Sequence, residues 1–404
     1  MDIQEPQIPP SQAPHPYAPP SDLSPAEQRQ RLRELAATFL RLGCLAFGGP
    51  AAHIAMIDDE VVRRQGWMDR EQLLDLIGVT NLLPGPNSTE LAIHIGYQRA
   101  GWQGLLVAGG SFILPAMTMV WILAALYARY QTVPQVGWLL YGIKPVIIAI
   151  ILQALLKLGK KAIKDRPTTA VAIAVMAAYF LKVNEILLLV IAGWAVMLVK
   201  NLGRGGMAAL WLPWSATLAP ATAVAIPGVG PSGIQVFWFF LKVGSVLYGS
   251  GYVLLAFLQR DLVERLGWLT SQELLDAIAI GQFTPGPVFT TATFVGYLLA
   301  GHGGAIAGTL GIFLPAFLLV AIVNPWIPSL RRSRWFGAFL DGVNAASLGL
   351  MAAVVFTLGR TALVDGVTVG LAIAAAIAVL RFHLNSAWIV LAGGMVGFIT
   401  QQVL

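Results

Sequence analysis

The chain repeats its own helix breakers. Pro84-Gly85-Pro86 returns about 200 residues later as Pro285-Gly286-Pro287. Gly66-Trp67 followed by Leu73-Leu74-Asp75 returns as Gly267-Trp268 followed by Leu274-Leu275-Asp276. Phe47-Gly48-Gly49 returns as Tyr248-Gly249-Ser250. Beyond the Pro-Gly-Pro the register slips by one. Gly96-Tyr97, Ala100-Gly101 and Leu114-Pro115-Ala116 then match Gly296-Tyr297, Ala300-Gly301 and Leu314-Pro315-Ala316. A fold for this chain must therefore accommodate two similar units, each interrupted at the same internal place.

Hydrophobic residues make up 57% of the 404, charged residues only 11%, and mean hydropathy is +0.72. A soluble domain carries about 25% charge, so an integral membrane protein is expected. Apolar stretches at 102–127, 136–156, 167–181, 185–199, 303–327, 338–358, 366–380 and 386–400 approach or reach the length of a span, about 20 residues. They lack the alternation of a barrel, so the expected fold is all-α. In such a chain, matched breakers predict a transporter of two homologous repeats, with discontinuous or re-entrant helices broken at the Pro-Gly-Pro. The net charge of +6 resides mostly at the ends of apolar stretches, which points to membrane topology rather than to nucleic acid. Cys44 is the sole cysteine, so neither an internal disulfide nor a cysteine-based metal site is expected. No cofactor motif is present.

Four segments are expected: a Pro-rich disordered arm (1–24), a first repeat (25–203), a linker (204–231) and a second repeat (232–404). The arm has no apolar signal core. It ends at Ser24-Pro25-Ala26-Glu27, a capping box with proline at the first helical position. Each repeat reads as a first helix (25–47; 232–248), a Gly-rich break and a second helix (50–65; 251–266). Glu60/Arg64 and Asp261/Arg265 lie four apart and can meet on one face. Asp69-x-x-Gln72 and Thr270-x-x-Glu273 open a third helix ending at the Pro-Gly-Pro, where a short fourth begins. Four longer apolar helices follow, the first with a matched proline, Pro115 or Pro315, predicting a kink.

Lys157, Lys160, Lys161, Lys164 and Arg166 crowd one loop whose counterpart has only Arg360. Arg331, Arg332 and Arg334 crowd a loop whose counterpart has only Arg129. Equivalent loops then lie on opposite sides, which predicts inverted repeats, with a cytoplasmic N-terminus and a periplasmic C-terminus. The uncharged stretch 207–228 is long enough to supply the extra crossing that inversion needs.

Each Pro-Gly-Pro precedes a helix N-terminus, where unpaired amides and the macrodipole favour an anion. The candidate substrate-binding residues are Pro84, Gly85, Pro86, Asn87, Ser88 and Thr89 in the first repeat, and Pro285, Gly286, Pro287, Thr290 and Thr291 in the second. Asn81 and Gln282, three residues before each break, add donors. A compact polyvalent oxyanion suits two such N-termini converging near the midplane. Arg41, Lys242 and Lys144 are cations within apolar segments and join the set. The plain alternative for Arg41 and Lys242 is snorkelling to an interface. Gly48, Gly49, Pro50, Gly249 and Gly251 are candidate hinges. His53, Glu90 and His94 occur in the first repeat only and are candidate proton carriers, against the plain reading of packed core groups.

Four segments together carry a family resemblance: Phe47-Gly48-Gly49-Pro50-Ala51-Ala52-His53-Ile54, Val62-Arg63-Arg64-Gln65-Gly66-Trp67, Leu83-Pro84-Gly85-Pro86-Asn87-Ser88 and Gly96-Tyr97-Gln98-Arg99-Ala100-Gly101. They closely resemble the signature of the chromate ion transporters, the CHR family, over nearly the whole chain outside arm and linker. The resemblance implies a two-domain secondary transporter in the bacterial inner membrane. It would export chromate, confer chromate resistance and draw on the proton gradient. Sulfate, an isosteric dianion, is the alternative substrate. Membrane lipid and a second copy of the chain are the other expected partners; nucleic acid is not one. The second repeat departs from the signature at Ser250-Gly251 and Val288-Phe289, so the work is expected to be shared unequally. An intramembrane enzyme is the remote alternative, and neither a nucleotide-binding motif nor a Cys/His cluster supports it.

Overall fold

The computed structural model describes residues 23–47, 49–202, 230–248, 251–323, 333–382 and 384–403. The arm, the linker with its proposed crossing, Gly48, Gly249, Arg331 and Arg332 lie outside the described residues. Among the described residues there are helices and no strands. In chain order the α-helices are α1 (Pro25–Leu45), α2 (Pro50–Asp58), α3 (Arg70–Thr80), α4 (Asn87–Tyr130), α5 (Pro134–Ala162), α6 (Arg166–Phe180) and α7 (Glu185–Leu202). The second half supplies α8 (Gly233–Val246), α9 (Leu254–Phe257), α10 (Ser271–Phe283), α11 (Thr291–Val323), α12 (Arg334–Ala362), α13 (Gly366–Arg381) and α14 (Ser386–Val403).

The capping boxes at Ser24/Glu27, Asp69/Gln72 and Thr270/Glu273 are formed, each side chain closing on the other residue's backbone amide. Ser232/Gln235 starts α8 in the same way. The second helix of each half is irregular. After α2 the backbone widens to a π-helix at Asp59–Arg64, and after α9 to another at Leu258–Arg265. Such widening brings a residue and its fifth neighbour into register, as in Gln65 N–H to Glu60 C=O and Leu266 N–H to Asp261 C=O, both 2.9 Å.

Neither α4 nor α11 is a straight rod. The backbone leaves helical geometry at Ala100-Gly101 and again at Ala300-Gly301, with φ of +61° and +60° at the two glycines. Only glycine enters that region without cost. Gly96 and Gly104 then meet back to back, since a Cβ on either would run into the other's carbonyl oxygen. Eight residues of straight helix would hold them about 12 Å apart, so the chain reverses. Thr293 and Thr309 hydroxyls, 2.7 Å apart, clasp the corresponding hairpin in α11. Each is a short arm folded back on a long one. Within the long arms the dihedrals stay helical through Pro115 and Pro315.

Packing interlocks the halves. Helix α1 lies on α4, and α8 on α11. By contrast α5 packs against α13 and α14, while α12 packs against α6 and α7, so the last two helices of each half rest on the other half. Close approach uses glycine pairs: Gly142 abuts the backbone of Gly393 and Gly397, and Gly342 abuts Ala192 and Gly193. Among the described residues, five helical stretches are long and apolar enough to cross a membrane: Asn87–Tyr130, Pro134–Ala162, Val288–Val323, Arg334–Ala362 and Ser386–Val403. The chain is a multi-pass membrane protein.

Candidate functional site

Each Pro-Gly-Pro lies in the connection between a short helix and a hairpin arm, and each is tied to the other half. The amide of Gly85 donates to the carbonyl of Leu247 at the end of α8 (2.9 Å). The amide of Gly286 donates to the carbonyl of Ala46 at the end of α1 (2.8 Å). Both glycines have positive φ, +143° and +98°. A Cβ on Gly286 would strike Ala116, and one on Gly85 would lie 3.5 Å from Ala316 and strike the Glu90 carboxylate. Ala116 and Ala316 follow the matched prolines of the long arms. The two breaks therefore sit at the centre, each closed by elements from the opposite half.

The first turn of α4 starts at Pro86, which supplies no side-chain cap. The Thr89 and Glu90 amides close back on the Pro86 carbonyl (2.8 and 3.0 Å), which leaves those of Asn87 and Ser88 without an intrahelical acceptor. Ser88 Oγ lies 3.2 Å from His53 Nδ1, and His53 Nε2 lies 2.9 Å from the carbonyl of Ala46. A carbonyl only accepts, so Nε2 carries a proton, and in the neutral ring Nδ1 accepts from the Ser88 hydroxyl. Ala46 thus receives both His53 and Gly286, which links the first turn of α4 to the second break.

Glu90 and His94 stand one turn apart on the same face of α4, 0% and 1% exposed. Among the described residues, neither Glu90 oxygen, nor His94 Nε2, nor Thr89 Oγ1 has a hydrogen-bond partner. The phenol of Tyr248 is within electrostatic reach of Glu90. Burial of a carboxyl without a partner is costly, so this pair marks a place where charge must be managed.

Asn87 donates to Asn81 (2.8 Å), and Asn81 donates to the carbonyl of Ile77 (2.8 Å). Both line a cavity of about 100 Å³ between the first break and α12. The second break faces a smaller cavity of about 40 Å³ that includes Gln153 of α5, Tyr252 and Gln282. Gln282 accepts from Tyr252 (3.1 Å), and its amide nitrogen has no partner. Thr290 and Thr291 are buried, and their hydroxyls turn back to the carbonyls of Pro287 and Val288 (2.8 Å each). Among the candidate hinges, Gly49 has φ +79°, Pro50 opens α2, and Gly251 lies in a 3-10 turn packed against Val288 and Phe289.

The three candidate cations all have carboxylate partners that the sequence reading missed. Arg41 pairs with Glu60 (2.5 Å) and Lys242 with Asp261 (2.9 Å). Both pairs span 19 residues, and the equal spacing in two repeats is the signal that was available. Arg64 and Arg265 approach the same acids at 3.7 and 3.2 Å, the i,i+4 contacts expected from sequence. Lys144 pairs with Asp276 of α10 (2.9 Å) and donates to Gln272 (2.5 Å), while Tyr127 donates to the other oxygen of Asp276 (2.8 Å). Arg99 is held by Glu34 and stacks on Trp67, 4.1 Å from the ring centre. No cluster of His, Cys, Asp and Glu suited to a metal occurs among the described residues.

A duplicated helical membrane fold with uncapped helix ends and buried ionisable groups at its centre is that of a membrane transporter. The chromate transporter family model matches residues 33–198 and again 234–398, so the chain belongs to the chromate transporter family, and the double match is consistent with two repeats. It is 32% identical to the chromate transport protein of Pseudomonas aeruginosa over 91% of this chain and 92% of that protein. It is 30% identical to the chromate transport protein of Cupriavidus metallidurans over 92% and 94% respectively. An uncharacterized transporter of Bacillus subtilis, YwrA, aligns with only 32% of this chain, at 29% identity over 73% of its own length. No solved structure matches the chain.

Proposed function

We propose that the chain is a secondary active transporter that exports chromate across the bacterial inner membrane, confers chromate resistance and couples export to protons. The observation that carries this reading is that each break is tied to the opposite half, Gly85 to Leu247 and Gly286 to Ala46. Each break precedes a helix start, a place suited to a polyvalent anion. Glu90 and His94, buried beside the first break without partners, are the groups that would carry the proton.

Inverted repeats are supported by the contacts between ends. Lys164 and Lys200 both reach Asp341 near the start of α12 (2.6 and 2.9 Å), so the basic loop after α5 and the start of α12 share one face. Tyr141, near the start of α5, reaches Asp365, which precedes α13 (2.6 Å). The start of α5 thus faces the end of α12, as antiparallel equivalents would. By the positive-inside rule the basic face, with the start of α1, is cytoplasmic, and the end of α14 is outside.

Flux of chromate in proteoliposomes under imposed pH gradients tests the proposal. Chromate should move against a proton gradient and stall when the gradient is collapsed; flux indifferent to the gradient sinks the coupling, and no flux sinks the function. Sulfate remains the second reading, because Asn and Ser donors see the same tetrahedral oxygens in both ions. Competition between labelled sulfate and chromate separates them.

A further inference from the structure

The cavity beside the first break holds a group that none of the described residues satisfies. Ser347 of α12 is 2% exposed, lines this cavity, and its hydroxyl has no hydrogen-bond partner among them. A buried hydroxyl without a partner costs stability, so its position points to something outside the chain. Asn344, one turn earlier, lines the same wall. Across from them stand Asn81 and Asn87 of the first half, with Thr80 turned away to the carbonyl of Ile77 (3.0 Å). Lys161 is exposed on α5 and borders the cavity too, next to Lys157, Lys160 and Lys164.

Charge favours an anion. No carboxylate lines the space. The acid nearest in sequence on α12, Asp341, is already held by Lys164 and Lys200. Size favours a small one: about 100 Å³ is room for several waters, at roughly 10–15 Å³ each on this measure. The mirror position of Ser347 is Ile147, and that of Asn87 is Val288, so the opposite cavity does not repeat this set.

We propose that this cavity is an oxyanion-binding site assembled from both halves, in which Asn87 of the first half and Asn344 and Ser347 of the second grip a compact tetrahedral dianion, with Lys161 drawing it in from the basic face. The site rests on the transport reading above and adds to it residues of α12 that the sequence did not suggest. Sharing the ion between α4 and α12 makes its binding sensitive to how the two halves sit against each other. That sensitivity is what alternating access requires.

Equilibrium dialysis of labelled chromate and labelled sulfate against the purified full-length protein tests this, beside thermal unfolding followed by tryptophan fluorescence. Ser347→Ala should weaken binding about tenfold while leaving the unliganded protein as stable or more so, because an unsatisfied hydroxyl has been removed. A residue with only a packing role would not move the two readouts apart. Asn344→Asp, which puts a negative charge on the cavity wall, should weaken binding by about a hundredfold. If the wild type binds either ion and Ser347→Ala binds it equally well, the site is wrong and the transport reading stands. If the wild type binds neither ion, the transport reading fails and the site fails with it.

Discussion

Gly85 and Leu247 are joined by a backbone hydrogen bond of 2.9 Å across the two halves, and Gly286 and Ala46 repeat it at 2.8 Å. A backbone bond at a break has two consequences. It fixes the break without using any side chain, and it makes the glycine irreplaceable where φ is positive. Gly85→Ala forces a Cβ against the Glu90 carboxylate at φ +143°. Strain of about 1–3 kcal/mol at such a position should reduce chromate flux at least about tenfold with membrane insertion intact. Gly286→Ala should behave alike, and Ala116→Gly in the same chain should restore part of the flux by removing the clash. Flux in proteoliposomes at equal protein content is the measurement.

Glu90→Gln keeps shape and removes the titrating proton. With no partner lost inside the protein, the variant should fold as well as the parent. Chromate exchange across equilibrated vesicles should persist, whereas flux driven by a pH gradient should be lost. Equal gradient-driven flux in parent and variant would remove Glu90 from the coupling path.

Lys144 and Asp276 form a largely buried pair between halves, their side chains 14% and 6% exposed. Removing one partner strands the other; for a buried pair this costs about 3–5 kcal/mol. Asp276→Asn and Lys144→Met should each lower the unfolding temperature clearly, and the double variant should recover much of the loss. A double-mutant cycle with no coupling would show that the pair contributes nothing.

Asp365 caps α13, accepting from the amide and hydroxyl of Thr368. The backbone hydrogen bond from Thr368, helped by the Tyr141 hydroxyl, lowers its pKa below the ordinary carboxylate value. A lowered folded pKa contributes stability above the unfolded value and loses it as pH falls through the folded one. Melting temperature should therefore decline below about pH 4, and Asp365→Asn should flatten that part of the profile while keeping the cap. Asp365→Ala should lower the melting temperature at neutral pH, because the cap is lost.

Much of the site was legible before folding because it is local. The breaks are Pro and Gly, the caps are four-residue patterns, and Asn81 and Asn87 flank the first break in sequence. The hairpin turn was visible only as a matched Ala-Gly; nothing nearby says that the chain reverses there. In sequence Glu60 and Asp261 read as partners of Arg64 and Arg265, and Asp276 as part of a repeated Leu-Leu-Asp, because Arg41, Lys242 and Lys144 lie 19 or more residues away. Ser347 gave no signal at all, being one hydroxyl in an apolar helix.

Composition and periodicity by themselves determined a helical membrane protein, its duplication, and where each unit is interrupted, since transfer free energy and backbone propensity act residue by residue. Tertiary structure decided which half closes which break, which carboxylate holds each cation, and which groups are left without partners. Those outcomes depend on the relative placement of helices more than 200 residues apart, and a hydrogen bond or ion pair is formed or lost over about an ångström.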